Sequence, residues 1–156
     1  MLTRISSFRI FVIGIALTAI SATAVQAQGR RPLKAPQALI DVLEKEDRDC
    51  VVQEGGLAKA VTVRSMPLAN DRSQQILVKG SGLCLCGAQN CHFWIYRKRG
   101  DKYELLLTGT GSTKVRAGRT SAKGYRDVIS ESHASAVETI IRTYRYDGSG
   151  YRPSSL

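Results

Sequence analysis

The sequence is poor in the features that usually announce catalysis. It has two histidines, His92 and His133. Neither Gly-x-Ser-x-Gly nor Ser-x-x-Lys occurs beyond the N-terminal segment, so the local signatures of an activated serine are missing. No Cys-x-x-Cys opens a helix, which removes the arrangement that lowers the pKa of a redox cysteine. Gly109-Thr-Gly-Ser-Thr-Lys114 lacks Walker spacing and is expected to be a strand connection. Asp147-Gly-Ser-Gly150 lacks the alternating ligands of a calcium loop and is expected to be a hairpin turn. No cofactor, no metal and no enzymatic activity are therefore expected. No self-similar period of about 20–50 residues is present, which argues against a propeller or solenoid.

Long apolar runs are also scarce. The one at Ile10–Ile20, broken only by Gly14 and Thr18, follows Arg4 and Arg9 and precedes Val25-Gln-Ala27. A positive start, a short apolar centre and a small-x-small site are the marks of a secretory signal peptide over 1–27. The expected product is a periplasmic or secreted protein, cleaved near Ala27, with no membrane span of its own. Its first cysteine is Cys50, too far from the cleavage site for a lipid anchor. Residues 28–35 are basic and are expected to form a flexible leader, leaving 36–156 as one domain.

Charge is plentiful and of one sign. The net charge is +10, and losing Arg4 and Arg9 leaves +8. Between residues 97 and 126 nine Lys and Arg face only Asp101 and Glu104, whereas residues 41–54 hold six acids against Lys45 and Arg48. Such asymmetry can steer a polyanion to one face. The candidate binding residues are Arg97, Lys98, Arg99, Lys114, Arg116 and Arg119. An alternative is that the charge only keeps the protein soluble.

The pattern predicts a mainly β domain with one short N-terminal helix. Pro36 with Leu39, Ile40 and Leu43 predicts a helix over 36–47. Strands are predicted at 58–66, 75–79, 92–98, 102–109, 125–130 and 135–147, with turn signals between them. Arg99-Gly-Asp101 and Asp147–Gly150 read as hairpin tips, the second ahead of Tyr151-Arg152. This spacing suggests an antiparallel meander, closed as a small barrel or folded as a sandwich. Trp94 and Tyr96 on one strand face are core residues or a stacking platform among cations. Alternation puts each Arg neighbour of a Tyr on the opposite face, which favours core.

Cys50, Cys84, Cys86 and Cys91 are an even set in an exported chain, first read as two disulfides. Cys84–Cys86 fits disulfide geometry poorly, which also disfavours Cys50–Cys91. Of the two remaining schemes, Cys86–Cys91 with Cys50–Cys84 is preferred. Competing uses are a metal group of Cys84, Cys86, Cys91 and His92, whose spacing matches no usual zinc signature, and thiol exchange. His92 cannot readily serve Cys91, because strand neighbours point to opposite faces.

Cys86-Gly-Ala-Gln-Asn-Cys91 ahead of Trp94-Ile-Tyr96-Arg97, Tyr103–Leu107, Gly124–Val128 and Tyr144-Arg-Tyr-Asp-Gly148…Tyr151 together resemble a group of small exported bacterial proteins with no assigned activity. These share a C-G-x-x-N-C turn and a closing Y-x-Y-D-G-x-x-Y hairpin. The resemblance covers roughly residues 82–152. It implies the Cys86–Cys91 turn and carries no catalytic residue. The expected function is non-enzymatic: a basic face offered to an anionic cell-envelope component or an acidic protein, with no specific nucleic acid as partner. The alternative is an inhibitor or immunity protein against an envelope hydrolase, inserting the 86–91 or 109–114 turn.

Overall fold

The computed structural model describes residues 33–154 apart from Arg72. The expected signal segment lies outside the described residues, as do residues 28–32 of the expected leader. Three helices come first: α1 (Leu39–Val42), α2 (Lys45–Gln53) and α3 (Leu57–Ala60). Eight strands follow: β1 (Val61–Ser65), β2 (Gln74–Gly80), β3 (Cys91–Arg99), β4 (Lys102–Ser112), β5 (Lys114–Ala122), β6 (Tyr125–His133), β7 (Thr139–Tyr146) and β8 (Tyr151–Pro153). They form two antiparallel meanders, sheet A in the order β1-β2-β3-β4 and sheet B in the order β5-β6-β7-β8. The mainly β expectation holds, but three short helices stand where one was expected, and α3 takes residues 58–60 from the strand predicted over 58–66. The two ladders are separate; the bridge Ala69–Tyr125 joins the connection between β1 and β2, not sheet A itself, to β6.

Alternation sorts the strand residues into two cores. Leu77, Phe93 and Ile95 of sheet A meet Val115, Val128, Tyr144, Tyr146 and Tyr151 of sheet B. Ile76, Val78, Trp94 and Tyr96 point the other way and meet Leu39, Leu43 and Val51 of the helical segment. Strands β2 and β3 are thus buried on both faces, which is why Ile76-Leu-Val78 and Phe93–Tyr96 read as continuous apolar runs. Trp94 and Tyr96 are core residues, not a platform.

The predicted helix over 36–47 is broken. Leu43 and Glu44 are extended, so α1 is four residues long and α2 starts at Lys45. Two contacts favour the break. Arg48 Nη2 donates to the Leu43 carbonyl at 3.0 Å, satisfying an acceptor the helix abandons. Glu46 and Asp47 then fall in the first turn of α2, where the helix dipole favours negative charge. Residues 33–35 also depart from the flexible-leader expectation: Leu33 and Ala35 are half-buried against the helix-side core.

The larger departure is β5, for which no strand was predicted. Gly109 and Gly111 looked like turn residues, yet both lie inside β4, and Gly118 lies inside β5. At Gly109 a Cβ would stand 2.1 Å from the Phe93 ring, so glycine there makes room for a core aromatic. Gly111, with φ +64°, falls just before the chain passes from sheet A to sheet B at Ser112–Lys114. The 109–114 segment is therefore ladder and corner, not a loop able to enter another protein's cleft. Both predicted hairpin tips hold: Arg99 pairs with Lys102, and Tyr146 with Tyr151. In the second, Asp147 Oδ1 accepts from the backbone of Ser149 and Gly150, which with the Ser149 hydroxyl holds its carboxyl far below the usual carboxylate range.

Candidate anion-binding surface

The helical segment covers the outer side of sheet A, and no described element covers the outer side of sheet B. Register defines that side. Val115, Val128 and Tyr144 are buried toward sheet A, so Arg116, Ile129, Thr143 and Arg145 face outward, while Lys114, the first residue of β5, lies at the sheet edge beside β1–β2. Arg145 pairs across the ladder with Arg152, which shares the face.

Charge divides along the same layers. The helical segment 33–60 carries six acids and four bases, whereas 113–154 carries eight bases and four acids. Three of those four acids are already paired: Glu131 with Arg116 at 3.3 Å, Asp127 with Arg145 at 3.5 Å and Asp147 with Arg152 at 3.1 Å. Lys114 and Arg119 form no ion pair among the described residues. Exposed ion pairs of this kind contribute about 0–1 kcal/mol, so Arg116 and Arg152 can exchange partners at little cost. Arg145 differs, because its partner Asp127 is only 2% exposed and also accepts from Thr120 Oγ1 at 2.5 Å.

The six candidate cations do not form one patch. Lys114, Arg116 and Arg119 are exposed along β5. Arg97, Lys98 and Arg99 lie at the far end of β3 and are engaged locally. Arg97 is 11% exposed and grips Glu104 with Nε at 2.9 Å and Nη2 at 2.6 Å. Its Nη1 donates to Tyr125 Oη at 2.9 Å. Glu104 above all, then Tyr125, holds the guanidinium even more firmly protonated than usual. Lys98 Nζ lies 5.4 Å from the centre of the Tyr103 ring. Arg99 reaches Asp71 at 3.9 Å, and Asp71 accepts from Tyr125 Oη at 3.1 Å. The Ser73 hydroxyl leads a set of donors that keep the Asp71 carboxyl below its usual range.

Arg145 and Arg152 were missed as candidates although their signal was visible. Each neighbours a tyrosine; Tyr144, Tyr146 and Tyr151 are buried, so alternation turns the arginines outward.

The cysteines pair as preferred, Cys50 with Cys84 and Cys86 with Cys91. The sulfurs that a metal group or thiol exchange would need are bonded to one another. The Cys86–Cys91 turn is also pinned to β6, since Asn90 Nδ2 donates to the His133 carbonyl at 2.9 Å and Asn90 Oδ1 accepts from the His133 amide at 3.0 Å. His133 is exposed, and His92 is half-buried with its ring 6.1 Å from Trp94. No hydroxyl is hydrogen-bonded to either imidazole among the described residues. No helix among them is long and apolar enough to cross a membrane. No protein family, curated protein or solved structure matches the chain.

Proposed function

We propose that the protein is a non-enzymatic binding protein, periplasmic or secreted, that offers the outer face of sheet B to an anionic cell-envelope component or an acidic protein. The observation behind this is the division of charge across the layers: the covered side is acidic, and the open sheet carries eight bases against four acids. Lys114, Arg116 and Arg119 make the primary contacts, with Arg145 and Arg152 beside them. Arg97 serves the fold instead, and Arg99, whose 3.9 Å pair with Asp71 is exposed, lies apart from this face at the far end of β3. The test is retention on an immobilised polyanion. Binding should weaken at least tenfold between about 0.05 and 0.5 M salt, as screening shortens the reach of exposed charge. Replacing Lys114, Arg116 and Arg119 by Ser should abolish it. Affinity unchanged by salt would overturn the proposal.

A second reading is supported by the pinned turn. Gly87, Ala88 and Gln89 are exposed on a loop closed by a disulfide and fixed by two Asn90 hydrogen bonds. Such a loop has little ordering entropy left to lose, which suits an inhibitor of an envelope hydrolase. With the net positive charge the target would be acidic. A titration against a panel of wall hydrolases decides it, and no inhibition of any member would dismiss it.

A further inference from the structure

Between β1–β2 and β5 lies a cleft of about 180 Å³ whose polar lining is Thr62, Arg64, Lys79, Thr113 and Lys114. Its other two lining residues are apolar, and no carboxylate lines it. Arg64 Nη2 donates to the Val115 carbonyl and Lys79 Nζ to the Thr113 carbonyl. These acceptors are two residues apart, Thr113 in the bend just before β5 and Val115 within it, and they draw both cations to the β5 edge. Capping the β5 edge accounts for one donor of each. An arginine has five donors and a lysine three, so most remain for another acceptor. Neither cation has a carboxylate partner among the described residues. Burial, and then the Arg64 charge, push the Lys79 ammonium below its usual range. Three like charges around a half-closed cleft are a cost to the fold that a bound anion removes.

We propose that this cleft binds a single tetrahedral oxyanion, a phosphate or sulfate group, held by Arg64, Lys79 and Lys114. The proposal deepens the anionic-partner reading, on which it rests, by naming the group recognised. A cleft of about 180 Å³ has room for one such group and part of its hydration. Thr62 adds a hydroxyl whose present bond, to the Lys79 carbonyl at 3.4 Å, is long and easily given up. Thr113 is less free, since its hydroxyl already donates to the Glu131 carbonyl at 2.9 Å, and it fixes the wall. The Glu131 carboxylate, across the ladder from Lys114, is held by Arg116.

The test is an amide-resonance titration of the disulfide-intact protein with inorganic phosphate, sulfate and glycerol phosphate, each compared with sodium chloride at equal ionic strength. Saturable shifts confined to residues 62–64, 79 and 113–115 are expected with the oxyanions only. Arg64→Gln should weaken phosphate binding about tenfold, and Lys114→Ser to a similar degree. Lys114 makes no side-chain hydrogen bond among the described residues, so its variant folds even if the Arg64 variant does not. Equal binding of the monoester assigns the group to a larger partner, and preference for phosphate assigns it to the free ion; both support the site. Shifts no different from chloride, or phosphate binding unchanged in Lys114→Ser, overturn it. If retention on a polyanion stays salt-dependent in that event, only the cleft assignment has failed. If retention also proves insensitive to salt, the broader reading has failed with it.

Discussion

Arg97 and Tyr125 meet across the gap between the two sheets, guanidinium Nη1 to phenol Oη at 2.9 Å. The contact links a ladder on each side. Arg97 holds Glu104 within sheet A, and Tyr125 holds Asp71 and stacks on Tyr146 with ring centres 4.2 Å apart. Removing the guanidinium leaves Glu104, half exposed, to rehydrate; Tyr125 Oη keeps its bond to Asp71 but loses the charged donor it accepts from at the rim of the core. Arg97→Met should therefore cost about 2 kcal/mol in urea unfolding, while Glu104→Gln should cost about 1 kcal/mol or less. Polyanion retention should not change in Arg97→Met. A large loss of retention with unchanged stability would return Arg97 to the binding face.

The two disulfides should separate in their effects. Cys50–Cys84 spans 34 residues and ties α2 to the connection between β2 and β3, whereas Cys86–Cys91 spans 5. Loop-closure entropy assigns them about 4 and about 2 kcal/mol. Replacing Cys50 and Cys84 by Ser should also loosen the helical cover over Trp94, shifting its emission to the red. Replacing Cys86 and Cys91 should leave the emission in place. Equal loss from both variants, with no shift in either, would contradict this assignment.

Much of the fold was legible because alternation is a strong signal where one face is buried and the other wet. The disulfide pairing was partly legible: one residue cannot span a Cys84–Cys86 bridge, and of the two schemes left the short turn Gly87–Asn90 favoured Cys86–Cys91. What escaped was set by contacts distant in sequence. Strand β5 carries few apolar residues and is bulged between Ala117 and Ser121, so its pattern is weak, and its place is fixed by β6. The helix break at Leu43 depends on Arg48. The candidate site was half visible: a local charge count finds Lys114, Arg116 and Arg119, but cannot see that Glu104 and Asp71 already occupy Arg97 and Arg99. Arg64 and Lys79 are fifteen positions apart; the β1–β2 register sets them diagonally on one face, and only the packing of β5 against that face closes the cleft.

Gly109 gives a direct check on the mis-predicted corner. A turn glycine tolerates Ala when its φ is ordinary, but a glycine under a core ring does not. Gly109→Ala should destabilise by about 3 kcal/mol, since Phe93 is buried and has nowhere to move. Combining it with Phe93→Leu should recover part of the loss, a non-additivity expected only of touching residues. Independent, additive effects in thermal unfolding would argue against the close approach.

Two buried tyrosines should respond in opposite ways to loss of their hydroxyls. Tyr96 Oη is buried with no hydrogen-bond partner among the described residues, and burial, with Asp41 adding, pushes its pKa up to about 12. Tyr151 Oη donates to the Arg126 carbonyl at 2.8 Å, and burial, with nearby Tyr125 and Asp127, raises it well above the ordinary range. In the unfolded chain both ionise near pH 10. A raised folded-state pKa means the folded form keeps its proton while the unfolded form has lost it. The stabilising contribution is therefore complete below about pH 10 and is lost as pH rises toward 12 and beyond. Thermal unfolding temperature should fall steeply over that window, with part of the tyrosinate absorbance appearing only on unfolding. Tyr96→Phe should raise stability at neutral pH by about 1 kcal/mol, because it removes an unpartnered buried hydroxyl. It should also flatten the alkaline fall. Tyr151→Phe should lower stability by about 1 kcal/mol, because it strands the Arg126 carbonyl. The same sign for both variants would contradict the hydrogen-bond assignment of one of them.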